Sequence, residues 1–361
     1  MNVATRAPRT PAPHPGVPAL RPGVRLGPTG WVLRPRVLVG TVGLALLALA
    51  LVGYGVAAGG AHHLPADRLL PILLGQGDTI EQIVMDKRLP RVVLGVCFGF
   101  ALGAAGAITQ SITRNPLASP DIVGVTSGAS LAAVLVLVGA GGRLGVVGLT
   151  GAALAGGLVA AAVVLAFGWR GGLSGLRIIL AGIAVSTGCS AAITWMLMRT
   201  DLDTAEMATR WLTGTLGLAN PGDMAVAVPV GLASVLVLAL TSRQVATLRL
   251  SPDTARSLGV DVTRARAVQM LVAVVLTATA TAVCGPIGFV GFVAPQLAMR
   301  VLRTAGPPVL GGGLLGAVVV LAADRLVQSL PVTLPVGSVT ATLGAPVLIW
   351  LVVRRARRAD A

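Results

Sequence analysis

The chain has 361 residues, 55% of them hydrophobic and only 11% charged, with a mean hydropathy of +0.86 and a formal net charge of +15 at pH 7. A soluble globular chain carries about 25% charged residues, so this sequence has too little polar surface to stay dispersed in water, and a soluble nucleic-acid-binding module is excluded despite the basic balance. Aromatic residues are scarce at 3% while glycine reaches 47, which suits close helix–helix packing in lipid; the class read from composition is an all-α polytopic membrane protein.

From the N-terminus, residues 1–36 are rich in Pro and Arg and carry no apolar stretch of signal-peptide type. They read as a disordered basic cytoplasmic tail beside anionic lipid. A spanning helix needs about 20 apolar residues. Candidate spans fall at 37–58, 92–113, 122–140, 145–168, 178–198, 224–242, 267–283, 285–302, 307–328 and 336–353, which makes about ten. The pair 267–283 and 285–302 is separated only by "CGPIGFVG". A membrane domain therefore covers 37–353, followed by a basic cytoplasmic tail at 354–361. With the N-terminus placed in the cytoplasm, most of the 28 Lys and Arg fall on the cytoplasmic side and most of the 13 Asp and Glu on the other. That distribution fits an even number of spans with both termini inside.

Within the second span, "GVCFGFALG" sets Gly95, Gly99 and Gly103 four apart on one helix face, a helix-packing signature, which Gly312 and Gly316 repeat more weakly. Beyond it, "TRNPLASPDIVGV" interrupts the apolar sequence. Pro116 and Pro120 cannot continue a helix, and Asn115 and Asp121 can bond freed backbone groups, so the chain turns there on the cytoplasmic side. The longest internal cytoplasmic loop, 242–268, reads as two short helices. Ser251 is an N-cap, Pro252 suits the first helical position, Asp253 the positive helix end, and Gly259 a left-handed closure. Periodicity alone leaves open whether this loop anchors on anionic lipid or meets a partner, with Ala255 and Leu258 among its apolar contacts.

Several kinds of chemistry are missing. Cys97, Cys189 and Cys284 stand alone, and His14, His62 and His63 have no ligand spacing, so no metal or cofactor is expected. The candidate spans hold almost no ionisable side chain apart from Asp324, which disfavours a charge-relay secondary transporter. No nucleophile elbow, zincin motif or carboxylate pair points to a membrane enzyme. The chain has one lysine, Lys87, and no phosphate-binding loop, so energy for uphill transport has to come from another protein.

The segments "RLPR" (88–91), "GAITQSITRNPLASPDIVGVTSGA" (106–129), "LAGIAVS" (180–186), "SPDTARSLGV" (251–260), "GPIGFVGFVAPQLAMR" (285–300), "AD" (323–324) and "LPVGSVTATLGAPVLIWLV" (334–352) occur in order. Together they resemble the iron-siderophore, haem and cobalamin permease family of bacterial ABC importers over roughly residues 30 to 358. The resemblance implies the type II ABC importer permease fold, a second permease subunit (the same or a related chain), a dimer of cytoplasmic ABC ATPase subunits and an extracytoplasmic binding protein. It implies a cytoplasmic gate at Asn115 and Leu117, with a second segment at Gly175 and Leu176, where a cobalamin-type permease has hydroxyl residues. It implies an ATPase-coupling helix at Ser251, Pro252, Ala255, Leu258 and Gly259. Arg88 and Arg91 match arginines that dock the binding protein, as exposed guanidiniums on the outer rim; a third docking arginine is replaced near Gln328. Gln296, where many members have His, and the tail before the first span look similar to the ferric-enterobactin-type branch. The expected function is thus import of a ferric siderophore across the bacterial cytoplasmic membrane, with haem or cobalamin as the alternative cargo and a self-sufficient secondary transporter as the alternative mechanism.

Overall fold

The computed structural model describes residues 24–26, 31–33, 35–58, 64–140, 145–168, 175–332 and 334–359. His14, His62, His63 and most of the N-terminal tail lie outside them. Within the stretch read as a disordered tail, β1 (Val24–Leu26) pairs antiparallel with β2 (Trp31–Leu33). Everything else regular is helical. In chain order the helices are α1 (Pro35–Ala57), α2 (Ala66–Leu73), α3 (Thr79–Thr113), α4 (Val125–Ala140), α5 (Gly145–Gly168), α6 (Gly175–Leu197), α7 (Leu202–Leu212), α8 (Met224–Thr247), α9 (Pro252–Ser257), α10 (Val262–Cys284), α11 (Val290–Val301), α12 (Val309–Ser329) and α13 (Val336–Ala359). Among the described residues, 7 helices are long and apolar enough to cross a membrane, and α4, α11 and α13 contribute the shorter apolar segments Val125–Gly139, Val290–Val301 and Val336–Leu351. These correspond to the ten spans expected; α2, α7 and α9 are additional short helices at the two ends of the bundle.

The second span is longer than its apolar run. α3 begins at Thr79 because Asp78 and Glu81 form a capping box: the Glu81 N–H donates to Asp78 Oδ1 at 2.8 Å and the Asp78 N–H to Glu81 Oε2 at 3.0 Å. Pro90 sits inside the helix at the cost of one backbone hydrogen bond. At 35 residues, α3 is about 52 Å long, well beyond the ~30 Å hydrocarbon slab. Its charged first turns therefore stand outside the apolar layer as helix, not loop. α3 is also the axis of the bundle: 83% of its most apolar stretch is buried, against 11% for α1. The exposed leucines and valines of α1, α6 and α8 form an outer apolar surface suited to lipid.

What lets other helices reach α3 is the absence of side chains. A Cβ on Gly99 would lie 2.8 Å from the Gly316 carbonyl oxygen and 2.9 Å from Ala317 Cα on α12. Gly103 faces Gly312 and Gly316 with equal intimacy, and Gly106 meets the Gly291 carbonyl of α11. Gly95 differs, since its neighbour is the movable Leu321 side chain, 2.9 Å from such a Cβ. The expected packing face is thus a backbone-to-backbone seam between α3 and α12, with Gly312 and Gly316 as its other half.

The break between α10 and α11 is a five-residue turn pinned from outside. Gly285 adopts φ +69°. The Thr215 N–H donates to the Cys284 carbonyl at 2.9 Å, the Gly337 N–H to Gly214 at 3.0 Å, and Thr340 Oγ1 to Gly288 at 3.0 Å. All three cysteines are free thiols.

Candidate functional site

The turn after α3 starts at Arg114, whose left-handed φ of +52° ends the helix. Asn115 Oδ1 accepts from the Leu117 N–H at 3.0 Å, an Asx turn. Asp121 does not take a backbone partner as expected; its carboxylate receives the Ser119 and Thr126 hydroxyls. Ser119 instead caps the single 3-10 turn Pro120–Val123, accepting from the Asp121 N–H at 3.1 Å, and Gly124 closes it at φ +73°. Asn115, Ser119 and Thr113 line a small cavity of about 90 Å³ together with Ile178 and Ile179 in the first turn of α6. The structure thus brings Asn115 to the start of α6. Leu117 and Leu176 are both exposed, Gly175 opens α6, and the residues just before it lie outside the described chain.

α9 is built as its sequence spacing indicates. Ser251 Oγ accepts from the Thr254 N–H at 3.1 Å, Pro252 occupies the first position, and Asp253 pairs with Arg256 at 2.9 Å. The C-terminus is a Schellman motif: the Gly259 N–H donates to Arg256 at 2.9 Å and the Val260 N–H to Ala255 at 3.2 Å, with Gly259 at φ +79°. Ala255 is buried beneath the helix, whereas Leu258 is 63% exposed and a Cβ on Gly259 would meet nothing within 4 Å. An apolar side chain and an open glycine therefore face outward side by side. Asp261 then caps α10 through the Thr263 and Arg264 N–H groups, both at 3.0 Å.

Arg249 lies two residues before Ser251, the cap of α9. Its Nε donates to Ser111 Oγ on α3 at 3.2 Å and its Nη2 to the Pro307 carbonyl before α12. Burial pulls its pKa below the ordinary guanidinium value, and a guanidinium stays charged through such a change. With Gln110, Arg114, Pro116 and Met299 it lines a cavity of about 270 Å³. Sequence reading missed this residue: in a basic loop, one inward-turned arginine has the same composition as its solvated neighbours. Deeper, Gln296 Nε2 donates to Gln110 Oε1 at 2.6 Å, and Gln110 Nε2 to the Phe292 carbonyl at 3.1 Å, both side chains being buried. Gln296 thus serves as a cross-link between α3 and α11.

At the opposite end of the bundle the expectation of exposed guanidiniums does not hold. Arg88 is buried and donates to the Val56 and Ala57 carbonyls at the end of α1, both at 3.1 Å. Arg91 grips Asp324 of α12, with Nε 2.9 and 3.0 Å from the two carboxylate oxygens and Nη2 at 2.7 Å. Gln328 Nε2 donates to the same carboxylate at 2.7 Å and Arg325 stands 3.5 Å away. The cause is the early start of α3: on a helix, residues 88 and 91 are three apart and share a face, here the face toward α1 and α12. Gln328, at the position of the missing docking arginine, is committed to Asp324. Among the described residues no group of three His, Cys, Asp or Glu comes together.

Comparison with known proteins gives one consistent set. Residues 45–354 match the model of the FecCD transport family. The ferric enterobactin transport system permease protein FepG of Escherichia coli (strain K12) is 38% identical over 324 residues, covering 87% of this chain and 98% of that protein. The achromobactin transport system permease protein CbrC of Dickeya dadantii (strain 3937) is 37% identical, covering 88% and 92%, and the hemin transport system permease protein HmuU of Yersinia pestis is 33% identical, covering 90% and 97%. A solved inward-facing conformation of a metal-chelate type ABC transporter superposes with a TM-score of 0.75 at 27% identity, covering 88% of this chain and 99% of its own. A helical membrane bundle folded like such a transporter, and matched by the family model across nearly its whole span domain, belongs to the FecCD transport family.

Proposed function

We propose that this chain is the permease subunit of an ATP-driven importer that moves a ferric siderophore across the bacterial cytoplasmic membrane by alternating access, with both termini in the cytoplasm. The observation that carries the coupling part is α9. A short, capped, Schellman-closed helix that exposes Leu258 beside an unobstructed Gly259 is a shape for insertion into another protein's groove. Ser251, Pro252 and Ala255 fix that shape, and the groove belongs to a dimer of ABC ATPase subunits. The ferric siderophore as cargo is supported by relatives named for enterobactin and achromobactin.

Asn115 and Leu117, with Gly175 and Leu176, form the cytoplasmic gate, supported by the cavity that joins Asn115 to the first turn of α6. Two permease subunits, alike or related, rock about their shared pathway as the ATPases close. Of the two outer arginines, Arg91 faces an extracytoplasmic binding protein, while Arg88 is held against α1. Because the Arg91 side chain is 23% exposed while Arg88 is buried against α1, Arg91 is the stronger candidate for meeting an acidic side chain.

The test is affinity purification of the tagged chain from its native membrane in mild detergent, with uptake of iron-55 chelates by cells carrying Gly259→Arg. A co-purifying phosphate-loop ATPase that is lost in the variant, together with lost siderophore uptake, supports the reading. Uptake of haem or cobalamin in place of the siderophore would reassign the cargo. Repeated purification of the chain without an ATPase, with normal uptake in Gly259→Arg, would sink the coupling role.

A further inference from the structure

We infer that Arg249 is the positioning residue that carries movement of α9 to the gate turn, an inference that rests on the coupling role proposed for α9. Three segments meet at its guanidinium. The approach to α9 supplies Arg249 itself, and the backbone there is stiff: the Arg249 and Leu250 N–H groups donate back to Ala246 and Thr247 at 3.4 and 3.0 Å, prolonging α8 by a turn. The gate-side end of α3 supplies Ser111, four residues before Asn115. The start of α12 supplies the Pro307 carbonyl, next to the helix cap Pro308.

The site is fitted to a guanidinium. The hydroxyl proton of Ser111, 1% exposed, goes to the Ala107 carbonyl at 2.7 Å, which leaves the oxygen's lone pairs to accept from Arg249 Nε. Gly306 leaves the passage clear, since a Cβ there would come within 3.0 Å of Arg249 Cδ and 3.1 Å of Nη1. The Ser111 hydroxyl and the Pro307 carbonyl are both neutral acceptors, so the contact is directional and does not depend on a counter-charge. A planar fork fixed at two points transmits displacement where a flexible ammonium would swivel. The adjoining cavity of about 270 Å³, lined by Arg114 and Pro116 of the gate turn, gives the turn room to shift when α9 is pulled.

The experiment uses the complete complex in proteoliposomes, with its ATPase and chelate-loaded binding protein, and reads iron taken up per ATP hydrolysed. Arg249→Gln is expected to lower that ratio about tenfold, the scale of one charge-assisted hydrogen bond, while ATPase co-purification and hydrolysis stimulated by the binding protein persist. Arg249→Lys should recover part of the ratio. Ser111→Ala, which keeps the arginine, should lower it in the same direction and guards against misfolding of the first variant. An unchanged ratio in both Arg249→Gln and Ser111→Ala overturns the inference. So does a parallel fall of uptake, hydrolysis and thermal stability that Arg249→Lys does not relieve, since that describes a structural anchor. Gly259→Arg run alongside separates the two levels: if it leaves ATPase binding and uptake intact, the role of α9 fails and takes the inference with it; if it blocks both while Arg249→Gln and Ser111→Ala are silent, only the inference fails.

Discussion

Asp324 is the most demanding side chain in the bundle. Its carboxylate is 1% exposed and receives Arg91 through two nitrogens, Gln328 at 2.7 Å and Arg325 at 3.5 Å. Asp324→Ala removes the common acceptor and strands two guanidiniums, of which Arg325 is only 12% exposed and already has an unpartnered Nε. Breaking a buried pair from the side that leaves uncompensated charge costs about 3–5 kcal/mol. Arg91→Ala leaves the carboxylate with Gln328 and Arg325 still in place, and the lost charge-assisted bonds amount to about 1.5–3 kcal/mol. The order Asp324→Ala worse than Arg91→Ala follows from who remains, not from the pair itself. The double variant should fall short of the sum by about 1–3 kcal/mol. Thermal unfolding of the purified chain in mild detergent, with chemical denaturant titration on the four members of the cycle, measures this. Equal losses in the two single variants, or simple additivity, would refute the assignment of Asp324 as the shared counter-charge.

Gly99→Ala should destabilise the same preparation strongly, because its Cβ meets two backbone atoms under 3.0 Å that cannot step aside, whereas Gly43→Ala, with nothing within 4 Å, should be neutral; the pair is read by melting temperature. Gln296→Leu should cost about 1–3 kcal/mol by leaving the buried Gln110 Oε1 without its donor, measured by the same unfolding assay. Gly259→Ala should weaken α9 by about 1–2 kcal/mol through its left-handed φ, while Gly259→Asn should retain most of the transport rate in an uptake assay. Docking is better tested with Arg91→Gln than with a glutamate, which would face Asp324 and confound lost binding with lost stability; binding-protein affinity by surface plasmon resonance should fall, and an unchanged value would reject Arg91 as a contact.

The spans were legible because lipid demands long apolar runs. Residues 145–168 coincide with α5, and the "CGPIGFVG" break is a real non-helical turn, since Gly285 needs positive φ and Pro286 has no N–H to give. The N-terminal third of α3 was misread for a physical reason. Charge and a proline end an apolar run without ending a helix, and the capping box at Asp78 and Glu81 was the local signal that the helix had already begun. That shift turned Arg88 and Arg91 from rim loop into helix face. α9 was readable from its caps alone, because capping is local chemistry. The contacts of Arg249, Asp324 and Gln296 were not, because they are decided by residues 138, 233 and 186 positions away.

The seam between α3 and α12 has no cushion. Side chains normally form an interdigitated layer between helices, and Gly99, Gly103, Gly312 and Gly316 remove it, so the two backbones touch. The pair is clasped at one end by Arg91 and Asp324, and at the other by a guanidinium that holds Ser111 and Pro307 together. Two rods welded along their length and riveted at both ends behave as one beam. Spin labels placed on α3 and α12 should keep a constant separation through a transport cycle, while either label should change its distance to α6. Flexure then belongs to the joints beside the beam, at Gly124, Gly214 and Gly285, where the backbone already holds positive φ.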